Sequence, residues 1–251
     1  MNKSVREILD KNGFFLETGE WYSLTSAIST VEADFLTEIV KKINPETSLE
    51  IGCAEGVSSM VICDSVGPAN IHTILDPNQT GHWKGMGLNN LTRLGFGNIN
   101  FIEDYSEFVL PDLLKKGNSY DFIFVDGWHT FDQVLLEFYY INRLLVVGGI
   151  VAFDDTALPP INRAMRYISN YPNFEVIGAA GEFYESKKRK RLDSIKSIIN
   201  TVTAPIGNKI KKEFLNDMVV RSNQSIKING SITAFRKTAN DERGWAWYES
   251  F

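Results

Sequence analysis

Cysteine is nearly absent from this chain of 251 residues: Cys53 and Cys63 are its only two, and neither has a CxxC partner. That excludes a disulfide framework and leaves two small buried side chains in a reducing compartment. Long apolar runs are missing too, so no segment reads as a bilayer span. The opening stretch Met1 to Glu7 has no apolar core of the kind a signal peptide carries, and the expected location is cytoplasmic. There is no G-x-G-x-x-G and no Gly-Lys-Ser/Thr after a glycine turn, which argues against pyrophosphate and P-loop chemistry. Internal repeats and low-complexity linkers are lacking. Excess positive charge is lacking as well: the net charge is −5, which argues against wrapping nucleic acid.

What is present is an alternation of short apolar runs and helical patterns. Helices are expected over 5–16, 29–43, 56–66, 88–94, 108–116, 130–146 and 160–169. Strands are expected over 47–52, 71–76, 98–103, 120–126, 149–153, 174–177 and 226–235. Strands alternating with helices give an α/β fold, a Rossmann-like, doubly wound, seven-stranded and mostly parallel sheet with helices on both faces. In such a sheet, ligands bind beyond the C-terminal strand ends.

The residues at those ends are acidic. Asp126 ends the strand expected over 120–126 and His129 follows it, and Asp154 and Asp155 follow Gly149–Phe153. Two adjacent parallel strands bring all four to one edge. Crowded carboxylates repel, and a divalent cation neutralises them; a histidine beside it can accept a hydroxyl proton. The same residues also suit plainer tasks, since acids cap helices and His129 precedes one. Glu50, Gly52, Gly56 and Ser58 form the first strand-to-helix turn. Glycine there permits close backbone approach, and the helix N-terminus offers N–H groups. Asp76 ends the second strand, where a carboxylate can accept ribose hydroxyls, and Asp104 ends the third, near an adenine edge. Trp128 suits a pocket wall or the core equally, and Glu137 reads as structural support in its helix.

This order resembles the class I S-adenosylmethionine-dependent methyltransferases, from about Thr47 to Asp155. The resemblance implies that Glu50, Gly52, Gly56 and Ser58 cradle the methionine part of S-adenosyl-L-methionine. It places Asp76 at the ribose and Asp104 or Tyr105 near the adenine, with Asp126 closing the cofactor site. Ala54 stands where many members carry a middle glycine. Asp126-Gly127-Trp128-His129 with Asp154-Asp155 is similar to the metal-dependent sugar O-methyltransferases of the macrocin and mycinamicin type. That similarity implies Asp126, Asp154 and Asp155 as Mg²⁺ ligands and His129, beside Asp126, as the catalytic base. Catechol-type O-methyltransferases share the layout, with Asp-Asn in place of the acidic pair.

The expectation is therefore a Mg²⁺-dependent O-methyltransferase acting on a hydroxyl of a sugar or glycosylated natural product. The alternatives are a catechol-type enzyme and a non-catalytic S-adenosylmethionine-binding subunit. Residues 1–46 read as an N-terminal helical cap and 47–251 as the methyltransferase domain, with a basic helical insertion at about 183–220. Glu185 to Lys212 holds nine Lys and Arg against two acids. Its apolar stripe suits packing on its own domain or a sister subunit in a homo-oligomer, or contact with a membrane surface through 187–212. Phe14, Phe15, Trp21 and Tyr22 are expected at a pocket wall. The aromatic tail of Trp245, Trp247, Tyr248 and Phe251 is expected to dock on a surface.

Overall fold

A computed structural model describes residues 1–16, 18–67, 69–183, 201–202 and 221–249. Most of the basic insertion expected at 183–220 lies outside the described residues, as does Phe251.

The chain opens with α1 (Lys3–Lys11), β1 (Gly13–Phe15), β2 (Trp21–Ser23) and α2 (Thr30–Ile43). It continues with β3 (Thr47–Ile51), α3 (Val57–Ser65), β4 (Ile71–Leu75), α4 (Met86–Arg93), β5 (Ile99–Ile102) and α5 (Ser106–Lys115). Then follow β6 (Tyr120–Val125), α6 (Phe131–Leu144), β7 (Leu145–Phe153), α7 (Pro159–Ile168), β8 (Phe174–Ala180) and β9 (Ile232–Lys237). Seven strands form one sheet in the order β5-β4-β3-β6-β7-β9-β8, with only β9 antiparallel to its neighbours. This is the doubly wound sheet that the alternating pattern implied.

Strand residues point alternately to two apolar layers, because side chains alternate across a pleat. Phe122, Phe124, Ile150 and Ala152 pack with α1 to α4, through Val5, Leu36, Met60 and Leu91. Ile123, Val125, Val151 and Phe153 pack with α5 to α7, through Leu110, Phe138 and Met165. Residues of the expected N-terminal cap thus share one core with the sheet. Ser29 and Glu32 cap α2 reciprocally, and the Ser231 hydroxyl donates to Glu32, tying that helix to β9.

Several boundaries differ from the sequence reading, three of them for a visible reason. The first helix ends at Lys11 instead of Leu16, because Asn12 turns left-handed (φ 49°) and the apolar residues beyond it form a hairpin, Phe14 pairing with Tyr22. Helix α6 stops at Leu144 and runs into β7 without a loop, since Leu145 already pairs with Tyr120. The last strand begins at Ile232, not Ile226; residues 223–227 form a turn in which Lys227 has φ 58°.

Candidate active site

Parallel register sets the site. Ile51 pairs with Leu75 and with Val125, and Val125 pairs with Phe153. The next residue on each strand is therefore Gly52, Asp76, Asp126 and Asp154, one step beyond the sheet at a common level. The ladder extends that step: Gly52 donates to Leu75 O at 2.8 Å, Asp126 to Ile51 O at 2.8 Å, and Asp154 to Val125 O at 2.9 Å. Above this edge opens a cavity of about 590 Å³, lined by Gly52, Asp76, Asp104, Tyr105, Asp126 and His129 among others.

The glycine turn is built by close approach. Gly52 has φ 91°, and a Cβ there would fall 2.0 Å from Asp126 O. Gly56 has φ 82° and abuts α4, where a Cβ would meet Gly87 O at 2.8 Å. Ala54 accepts a left-handed φ of 46° that glycine would adopt freely. Glu50 and Ser58 do not line the cavity. Position 50 faces the layer covered by α1 to α4, where the Ser58 and Ser59 hydroxyls donate to its carboxylate and His72 Nε2 lies 2.9 Å away. Their hydrogen bond braces the turn from beneath.

Asp76 also works inward. Its Oδ2 accepts from Cys53 N at 3.1 Å, Ala54 N at 2.9 Å and Gln79 Nε2 at 3.1 Å, and its Oδ1 accepts from Asn78 N at 2.8 Å. It reaches the cavity wall, yet four donors already hold it. Asp104 accepts from Tyr105 N at 2.8 Å, and the Tyr105 side chain stands exposed at the cavity rim.

At the other end, Asp126, His129 and Asp155 converge, with one donor atom from each within 4.8 Å of the others. His129 Nε2 lies 3.5 Å from Asp126 Oδ1 and 3.3 Å from Asp155 Oδ2. Asp155 reaches this place through a left-handed turn, φ 53°. Asp154 stands outside that trio; its Oδ1 accepts Asp155 N at 2.9 Å.

The electrostatics of this edge are strained. Burial, and then the Asp126 charge, push the Asp154 carboxyl well above the usual carboxylate range. Although 22% of the Asp126 side-chain surface stays exposed, the surrounding protein raises its carboxyl too. The hydrogen bond to Asp126 raises the His129 imidazole. Three carboxylates gathered at this edge supply hard oxygen donors, and a divalent cation neutralises their mutual repulsion.

Sequence reasoning missed Glu55. It is fully buried, and it accepts from Tyr22 Oη at 3.0 Å, Thr25 N at 2.9 Å, Thr25 Oγ1 at 2.7 Å and Ser26 N at 3.1 Å. An acid in a glycine turn usually meets water, and nothing local announces these distant donors. The hairpin aromatics divide: Phe14 is buried, Phe15 and Trp21 are exposed, and Ser26, not an aromatic, meets the cavity. Trp128 is 71% exposed on the cavity wall, so it is not core. In the tail, Trp247 packs edge-on against Tyr171 while Trp245 stands in solvent.

Comparison with known proteins agrees with this geometry. Residues 49–156 match a family model described as a methyltransferase domain. The chain is 35% identical over 127 residues to Tapetum-specific methyltransferase 1 of Arabidopsis thaliana, covering 50% of this chain and 53% of the relative. It is 29% identical over 182 residues to Caffeoyl-CoA O-methyltransferase 2 of Petunia hybrida, covering 68% and 70%. The chain thus spans about half the length of the first relative. The fold matches an O-methyltransferase from Bacillus cereus solved with SAH, at a TM-score of 0.57 and 16% identity, covering 70% of this chain and 83% of that one. It also matches TomG from Streptomyces achromogenes, solved with SAM, at a TM-score of 0.56 and 16% identity, covering 70% and 82%. Residues 49–156 thus resemble a methyltransferase domain in sequence, and the described residues share the fold of solved O-methyltransferases. Among the described residues, no helix is long and apolar enough to cross a membrane.

Proposed function

We propose that this protein is a metal-assisted O-methyltransferase whose acceptor is a small molecule with two neighbouring oxygens. The observation that carries the reading is His129 Nε2 held between the Asp126 and Asp155 carboxylates, on the wall of the cavity that the glycine turn also lines. Methyl transfer from a sulfonium to oxygen is an in-line displacement, so the protein's work is alignment and proton removal. Gly52 and Ala54 bring bare backbone to the cavity for the methionine part of the donor, and Asp104 and Tyr105 flank its adenine end. Asp126, Asp154 and Asp155 would hold a Mg²⁺ ion. When bound, that ion lowers the pKa of an acceptor hydroxyl and fixes its direction. His129 accepts the hydroxyl proton at Nε2, and the resulting imidazolium is stabilised by the carboxylates on either side. Residues 1–46 form a cap on a methyltransferase domain of 47–251.

An aromatic diol is the first acceptor class. It is supported by the relatives named as caffeoyl-CoA O-methyltransferases and by Trp83, Tyr105 and Trp128 around the cavity. A sugar hydroxyl is the second, supported by the Asp126-x-x-His129 spacing and the acidic pair. A panel of catechols and glycosides, assayed with S-adenosylmethionine before and after EDTA, tests both. Turnover should vanish with EDTA and return with Mg²⁺. Full turnover in EDTA removes the metal role, and the preferred acceptor decides the class.

A further inference from the structure

Asp155 is the one member of the carboxylate cluster that strand register does not place. Asp126 and Asp154 each sit one step beyond a strand, still tied to the ladder; Asp154 N donates to Val125 O at 2.9 Å. Asp155 comes one residue later, at φ 53°. Left-handed backbone is disfavoured for a residue that carries a Cβ, so neighbours must hold such a turn.

Thr156 supplies the hold. It follows two acids at the cavity edge, yet it is fully buried. Its N–H donates to Ser231 O at 2.7 Å and its hydroxyl to Gly230 O at 2.8 Å, just before β9 begins. A hydroxyl has one proton, and Gly230 O takes it. Thr233 Oγ1, 2.9 Å away, is therefore the donor to Thr156 Oγ1. From α7, Asn162 Nδ2 donates to Thr156 O at 3.1 Å. The anchor is braced in turn, because the Ser231 hydroxyl donates to Glu32 at the start of α2. The turn is thus pinned on both sides, Asp154 to β6 and Thr156 to β9. Asp155 stands between the pins, with Oδ2 3.3 Å from His129 Nε2.

We propose that Thr156 is a positioning residue for Asp155: its hydroxyl, anchored on Gly230 and Thr233, holds that carboxylate against His129 and so completes the cation site. The part that concerns the cation rests on the metal-assisted reading above; the contact between Asp155 and His129 needs no ion. Removing the hydroxyl leaves Gly230 O without its donor in a buried place, and the turn relaxes. Outer groups that orient metal ligands change metal affinity by about 10- to 100-fold when lost.

The test compares wild type, Thr156→Val and Thr156→Ser as full chains. Valine keeps the shape and loses the hydroxyl; serine keeps the hydroxyl and loses the methyl. The chain has three histidines, so the His129 ring signals can be assigned by NMR on metal-free protein. They should move in Thr156→Val and return in Thr156→Ser. Calorimetric Mg²⁺ affinity should fall about 10- to 100-fold in Thr156→Val and recover in Thr156→Ser. Affinity for S-adenosylhomocysteine should stay unchanged throughout. Unmoved His129 signals in Thr156→Val overturn the assignment, as does a Thr156→Ser as impaired as Thr156→Val. An equal loss of S-adenosylhomocysteine affinity also overturns it, since that marks general disruption. Where Thr156→Val does not fold, Thr233→Val removes the donor to the same oxygen: it should move the His129 signals, and unmoved signals overturn the assignment. Wild type that binds no Mg²⁺ overturns the metal reading, while the His129 signals still judge Thr156.

Discussion

At the scale of single residues, the site turns on one nitrogen. His129 Nε2 lies near two carboxylates, a place that suits a base or a further ligand beside the three aspartates. The two roles separate by measurement. His129→Ala should lower turnover by about 10²- to 10⁴-fold, the range for general bases, while Mg²⁺ affinity changes little. Asp154→Ala should do the reverse, removing metal-dependent turnover while S-adenosylhomocysteine binding persists. Loss of Mg²⁺ affinity in His129→Ala would make the imidazole a ligand and leave the base unassigned. Of the residues singled out by type and place, Gly52, Asp76, Asp104, Tyr105, Asp126, His129 and Asp155 meet the cavity or the carboxylate cluster. Glu50 and Ser58 do not: strand parity turns position 50 toward the layer of α1 to α4, and the Ser58 hydroxyl of α3 donates to it there. Parity is a period-two property readable in a strand, but which helices cover each face is settled only by the fold.

At the scale of elements, the N-terminal hairpin is the piece the sequence conceals. Gly13 to Phe15 continues an apolar pattern, so periodicity extends the helix; the left-handed Asn12 ends it instead. The segment from Tyr22 to Ser26 then hangs on Glu55, whose buried carboxylate takes four donors from it. Charge-assisted bonds of this kind are strong, and truncation leaves several donors without a partner. Glu55→Ala should cost about 2–3 kcal/mol of stability and open residues 20–27 to proteolysis. Limited digestion with mass mapping checks this; cleavage unchanged at that segment would show that the clamp does not hold it. Since Ser26 lines the cavity, the same variant should weaken cofactor binding.

At the scale of the whole molecule, the chain's end is latched to the sheet's far side. Arg243 donates Nε and Nη2 to the two oxygens of Asp241, each at 2.7 Å, and Asn142 of α6 donates to Asp241 at 2.7 Å. The Arg243 guanidinium lies over Tyr171 at 3.8 Å and Trp247 at 4.5 Å. These hydrogen bonds lower the Asp241 carboxyl to about 2 from an ordinary 3.8. A depressed carboxyl contributes stability above its unfolded pKa and loses it as pH falls through the folded one. The latch should therefore be fully present above about pH 4 and lost near pH 2. Partial solvent access reduces its worth to about 1 kcal/mol. Asp241→Asn should lower the melting temperature at pH 7 and make no difference near pH 2. An equal loss at both pH values would mean that packing, not charge, holds the end.

The sequence by itself determined the sheet, its helices and the edge where chemistry collects. Those follow from apolar periodicity and from acids at strand ends, both local properties. Only the tertiary structure decided which of those acids meet. Asp155, through its left-handed turn, meets His129 beside Asp126, while Asp154 stands outside that trio. It also decided that Glu55 holds the N-terminal segment and that Glu137 is buried against Ser106. Their partners stand about 30 residues away in sequence, and no local pattern encodes a hydrogen bond across that distance.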